Sequence, residues 1–238
     1  MKRALVAGGS SPIGIAVCEE LASQGFYVII HTNSNISKAN ECMERILFAG
    51  GSAEILVLDL LDPKSSEVLE KITSDSPIQV FVHCVGGQRD KPFAAMNFED
   101  WQEVVDLNLT SFFATLRPII VPMMRSRWGR IIAMSSLSAT LGNRGQANYA
   151  AAKGGLLPLV KSLTQEYGSR GITANVVAPG LIDTSETKAL ENYDALVGLS
   201  PSRRAGTVHE VAAIVGFLAS EKAGYISGQH IAVDGGTS

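Results

Sequence analysis

Seven short apolar runs, at residues 4–7, 27–30, 55–58, 80–85, 130–134, 173–178 and 230–233, recur along the 238-residue chain. Helical patterns separate them at 12–23, 37–49, 63–73, 98–125, 146–169 and 208–220. Strands alternating with helices close most readily into a parallel, doubly wound sheet with helices on both faces. Such strands are buried on both sides and read as continuously apolar, as "VFVHCV" and "ANVVA" do. The fold class expected is therefore α/β, a Rossmann-type parallel sheet of about seven strands in three αβα layers. No repeat, linker or shift of composition divides the chain, so a single domain over 1–238 is expected.

Bulk composition narrows the functions. Hydrophobic residues are 46% and charged residues 18% of the chain, which suits a packed core rather than disorder. A net charge of −3 without a lysine or arginine block argues against a nucleic-acid partner. Met1-Lys2-Arg3 opens like a secretion signal, but the apolar run at 4–7 is shorter than the roughly 7–15 residues such a signal needs. The longest greasy segment, 109–124, is interrupted by Arg117, Pro118 and Pro122, so no membrane partner and a cytoplasmic location are expected. Cys18, Cys42 and Cys84 have no metal-type spacing and read as reduced, buried thiols, with no metal expected.

In a sheet of this type, ligands bind beyond the carboxyl ends of the strands. The first such loop lies in "LVAGGSSPIG", residues 5–14, where Gly8, Ser10, Ser11, Ile13 and Gly14 lead into a helix. Free N–H groups and the helix dipole there attract a pyrophosphate. Pro12 stands where such loops usually carry a middle glycine. It lacks an N–H, but at the first helical position that N–H has no intrahelical partner, so the cradle can survive.

"ANYAAAKGG" sets Tyr149 and Lys153 four residues apart on one helical face. An ammonium beside a phenol favours phenolate, which would pull the phenol from about 10 toward working pH. The pair alone is a weak signal. It gains force from "GRIIAMSS", "GNRGQANYAAAKGGL", "SRGITANVVAPGLIDT", "RRAGTVHEVA" and "SGQHIAVDGG", which follow in order. On these motifs the chain resembles the short-chain dehydrogenase/reductase family over essentially its whole length, and within it the 3-oxoacyl-acyl-carrier-protein reductases.

That resemblance implies a catalytic set of Asn108, Ser136, Tyr149 and Lys153. Tyr149 would protonate a carbonyl oxygen as hydride arrives from a nicotinamide, and Ser136 would steady the same oxygen. Lys153 would tune the tyrosine and hold the nicotinamide ribose, while Asn108 would support a water-linked proton path. Ser135 and Ser138 flank Ser136, which the spacing to Tyr149 prefers. The resemblance also assigns Asp59 and Leu60 to the adenine, Gly86 to the segment after the fourth strand, and Pro179, Gly180, Ile182 and Thr184 to the nicotinamide side. The residues before Gly86 read His83-Cys84-Val85 where the family carries Asn-Asn-Ala.

The second strand is followed by His31, Thr32, Asn33 and Ser34 rather than a carboxylate. An acidic residue there would bind the ribose hydroxyls of NAD, so NADPH is favoured over NADH, its phosphate resting on hydroxyl, amide and imidazole donors. The resemblance places Arg127 and Arg170 where the resembled reductases contact their acidic acyl carrier protein, and Arg89 and Asp90 look like that group's cofactor-side loop, with Arg144 at the entrance. Residues 185–199 read as a patternless substrate lid. The small residues Ala150, Ala151, Gly154 and Gly155 permit close packing against a twin helix, and the family is usually tetrameric. NADPH-dependent reduction of a 3-oxoacyl thioester is thus the leading expectation. A reductase of small ketones, alcohols or sugars, and an idle partner subunit of an active reductase, stand beside it.

Overall fold

The computed structural model describes residues 1–238, the side chain of Asp75 excepted. Seven strands form one sheet: β1 (Arg3–Ala7), β2 (Tyr27–Thr32), β3 (Ser52–Val57), β4 (Ile78–His83), β5 (Gly129–Met134), β6 (Ile172–Pro179) and β7 (His230–Val233). Their order is β3-β2-β1-β4-β5-β6-β7 and every pairing is parallel. The helices are α1 (Pro12–Ser23), α2 (Ile36–Phe48), α3 (Ser65–Asp75), α4 (Phe98–Val105), α5 (Ser111–Arg125), α6 (Ser138–Leu141), α7 (Ala147–Tyr167), α8 (Ser185–Lys188), α9 (Tyr193–Leu199) and α10 (Val208–Ala219). Residues α1, α2 and α10 bury against one face pack with Val6, Ile30 and Val82; those from α3, α5 and α7 pack with Leu5, Phe81 and Ile131 on the other.

Alternate residues of each strand feed opposite cores, so a one-residue slip would exchange the two faces. The strand order reverses between β1 and β4, and a crevice opens there. At that point a Cβ on Gly8, whose φ is +77°, would lie 2.9 Å from the backbone of Cys84 and Val85. Only glycine lets the first loop sit this close to the segment after β4.

Three departures from the sequence reading bear on the site. β4 ends at His83, so Cys84 and Val85 belong to the following loop. The single helix expected over 98–125 is α4 and α5 joined by one π-helical turn, Asp106–Thr110. By length and composition this continuous run, Phe98–Arg125, is long and apolar enough to cross a bilayer, a test that the core helix of a folded domain also passes. Half of its most apolar window is buried within the fold, where Phe112, Leu116 and Ile119 join the core. The lid segment is not patternless: it contains α8 and α9, the first capped reciprocally by Thr184 and Thr187.

Candidate active site

The first loop is shaped by side chains as much as by glycine. Ser11 caps α1, its Oγ accepting from Gly14 N–H (3.1 Å) and donating to Gly8 O (2.8 Å). Pro12 occupies the first turn of α1, where its missing N–H breaks no hydrogen bond. A Cβ on Gly14 would fall 2.1 Å from Gly8 O, so this position also requires glycine. His31 supports the loop from below: Gly8 N–H donates to its Nδ1 (3.0 Å), and its Nε2 donates to Leu58 O (2.8 Å). Both ring nitrogens are therefore occupied, and burial holds the imidazole below its usual pKa. This corrects the expectation that imidazole would help hold a phosphate.

Thr32 is also engaged, its hydroxyl lying 2.8 Å from Ser10 Oγ and accepting from Asn35 N–H. Asn33 and Ser34 stay exposed at the end of β2, and no carboxylate stands there. Beyond β3, Asp59 Oδ1 accepts from Leu61 N–H (2.9 Å), and Leu60 packs into the core.

One cleft of 360 Å³ gathers Ser11, Ile13, Gly86, Ser136, Tyr149, Lys153, Pro179, Gly180, Ile182 and Thr184, the expected residues from β1, β4, β5, α7 and β6. Gly8, Ser10, Gly14, Thr32, Asn33, Asp59, Leu60 and Asn108, also expected at the site, do not line this cleft. A second pocket of 300 Å³ adjoins at Ser136 and Tyr149 and runs under Leu190, Leu196 and Leu199 of the 185–199 segment.

Three adjacent serines are told apart by their partners. Ser135 Oγ donates to Lys153 O (3.0 Å) and Ser138 Oγ to Gln146 Oε1 (2.8 Å). Ser136 accepts from Ser138 N–H (3.2 Å), lines both pockets and hydrogen-bonds Tyr149.

Lys153 is buried, its Nζ donating to Val85 O (3.0 Å) and Met134 O (2.9 Å) and standing 5.9 Å from the Tyr149 ring centre. Burial lowers its pKa to about 8. Burial also raises Tyr149 above the ordinary phenol value, with Asp90 adding to the rise and the Ser136 hydrogen bond opposing it. The ammonium thus serves two carbonyls rather than the phenol, which corrects the expectation of a phenol drawn toward phenolate. Tyr149 stands as a neutral O–H donor.

Asn108 sits fully buried in the π turn. Its Nδ2 donates to Gly87 O and Val104 O, each at 2.8 Å. A Cβ on Gly86 would lie 3.1 Å from Asn108 Oδ1 and 3.2 Å from Lys153 Nζ. Bare backbone at Gly86 is what lets these two polar groups approach.

Residues that spacing alone did not single out complete the wall. Gln146 Nε2 donates to Asp90 Oδ2 (2.9 Å) and Gln88 Oε1 (3.1 Å), bracing the loop after β4 against α7. Gln146 lies in the quoted "GQANY", but its reach across more than fifty residues has no local signal. Arg89 pairs with Glu103 (2.8 Å) on α4, not with the cofactor cleft. Arg127 and Arg170 are exposed just before β5 and β6, at the amino edge of the sheet, opposite to Tyr149. Gly155 packs within the chain, a Cβ there meeting Leu109 at 3.2 Å. Among the described residues no cluster of His, Cys, Asp and Glu could hold a metal.

Residues 7–238 match the family model described as Enoyl-(Acyl carrier protein) reductase. The chain is 42% identical over 239 positions to 3-oxoacyl-[acyl-carrier-protein] reductase FabG of Escherichia coli (strain K12), covering 99% of this chain and 96% of that protein. It is 40% identical to the proteins of the same name from Salmonella typhimurium and Pseudomonas aeruginosa, again over 99% of this chain and 96% of each.

Proposed function

Because the chain belongs to the short-chain dehydrogenase/reductase family, we propose that it reduces the 3-oxo group of an acyl thioester carried on acyl carrier protein, using NADPH. The observation that carries this reading is the pair of hydroxyl donors, Ser136 and Tyr149, side by side where the two pockets meet. Two donors converging on one oxygen suit a carbonyl that becomes an alcohol, since negative charge develops there in the transition state.

A nicotinamide cofactor fits the residues present. Gly8 and Gly14 leave a cradle that a Cβ would fill, and the cleft leads from it to Lys153, Tyr149 and Thr184. Ser11, Ile13 and the first turn of α1 would hold the pyrophosphate, Lys153 the nicotinamide ribose, and Thr184 the carboxamide. Asn33 and Ser34, without a carboxylate, would receive the 2′-phosphate of NADPH. When bound, the nicotinamide supplies the hydride. Tyr149 gives its proton to the carbonyl oxygen, and Ser136 holds that oxygen through a second hydrogen bond. Asn108 and Lys153 would then pass a proton back through water.

The leucines of the adjoining pocket suit an acyl chain. Arg127 and Arg170 would dock the acidic carrier. Since they lie at the sheet edge opposite to the site, a carrier seated on them would serve a neighbouring copy in an oligomer. A homotetramer is the assembly we propose, supported by Phe98, Phe113 and Val121 exposed along α4 and α5. The test is oxidation of NADPH and NADH with acetoacetyl thioester, simple ketones and an enoyl thioester. Turnover of the 3-oxo thioester with NADPH is expected. Preference for simple ketones would move the assignment to small carbonyl compounds, and preference for the enoyl thioester would move it to double-bond reduction.

A further inference from the structure

His83, the last residue of β4, is fully buried and takes no part in the chemistry described above. Its strand neighbours are Ala7 and Ala133, whose small side chains leave room for an imidazole. The ring turns toward α5, meeting Phe112 edge-on at 5.4 Å. Its Nε2 lies 2.9 Å from Ser111 Oγ. Ser111 has one hydroxyl proton, and that proton goes to Leu107 O at 2.6 Å. The serine must therefore accept from the histidine, which fixes the Nε2–H tautomer. Nδ1 is left buried without a partner. Desolvation, with Lys153 and His31 nearby, keeps the ring neutral far below its usual pKa.

The position matters because of what Ser111 closes. Its backbone N–H reaches back five residues to Asp106 O, ending the π turn. Its hydroxyl holds Leu107 O, next to Asn108. Asn108 in turn grips Gly87, four residues beyond His83. The His83–Ser111 hydrogen bond and the reciprocal pair between Asn108 and Gly87 thus tie the π turn to the carboxyl end of β4 and to the loop that follows it. Ordinary α-helix needs no such tie, but an extra residue in a turn has to be held in register.

We propose that His83 is a positioning residue: through Ser111 it locks the π turn to β4 and thereby aims Asn108 at Gly87 and toward Lys153. The departure from the family's asparagine at this position then gives the residue a structural role rather than marking a loss of function. The uncompensated Nδ1 is the cost of choosing a ring that also fills the space beside Phe112.

This inference rests on the reductase reading of the site, so its test includes a readout independent of turnover. Glutamine can place an amide N–H near the position of Nε2, whereas methionine matches the bulk without a donor. In H83M, hydrogen exchange of segment 104–112 should rise, and kcat should fall roughly tenfold or more with KM for NADPH little changed. In H83Q both should return toward wild type. S111A, which keeps the imidazole, should reproduce H83M and serves if that variant does not fold. Unchanged exchange in H83M and S111A would overturn the proposal, as would equal impairment of H83Q and H83M. Raised exchange with full kcat would overturn it too, provided Y149F is inactive in the same assay. An active Y149F would instead implicate the reductase reading.

Discussion

Lys153 carries the sharpest pH signature in the molecule. Its ammonium is buried between two backbone carbonyls, and burial lowers its pKa from 10.5 to about 8. A lysine with a depressed pKa loses its charge as pH rises through that value. Between about pH 8 and 10.5 the unfolded chain holds more protons than the folded one, so this residue's contribution to stability increases with pH in that window. Activity should move the other way: kcat/KM is expected to fall above about pH 8, reporting the free enzyme. Lys153→Arg, if it retains activity, should abolish that limb, because guanidinium does not titrate there; the same limb in the variant would assign it to another group. Gly14 gives a second expectation. With a Cβ 2.1 Å from Gly8 O, Gly14→Ala should distort the loop and weaken NADPH binding more than tenfold, read by quenching of protein fluorescence.

At the scale of elements, α1 bears the cofactor loop, and its start was legible at residue level. Ser11 as cap and Pro12 in the first turn follow from their chemistry, and the helix spans the expected 12–23. Ser11→Ala should cost about 1 kcal/mol and loosen Gly8 and Gly14 together, visible as a lower Tm and weaker cofactor binding. Pro12→Ala should leave the Kd for NADPH within about twofold, since no hydrogen bond or positive φ depends on the proline. A large gain in affinity would show that Pro12 does deform the cradle. The long run at 98–125 was read as one helix because a π turn keeps the apolar stripe nearly continuous. What the pattern hides is the extra residue that turns Asn108 inward.

For the whole molecule, strand alternation made the sheet legible, because burial on both faces leaves continuous apolar runs. The order of strands and the crevice between β1 and β4 follow from that class of fold. Electrostatics at the site did not follow. Tyr149 and Lys153 share a helical face, yet the ammonium is directed to Val85 O and Met134 O, carbonyls distant in sequence. The two arginines likewise match a motif in sequence while lying at the edge away from the site. Reversing both charges, R127E with R170E, should raise KM for a carrier-bound thioester at least tenfold and leave a free thioester unaffected. Equal effects on both would remove the docking role.

The central claim is that Tyr149 supplies the proton to a 3-oxo group beside Ser136. Single-turnover oxidation of NADPH by acetoacetyl thioester, comparing wild type with Tyr149→Phe, tests it most directly. The phenyl side chain keeps the packing and removes the O–H, so the rate is expected to fall about 100- to 10,000-fold while NADPH binding persists. Equal rates for the two proteins would contradict the account.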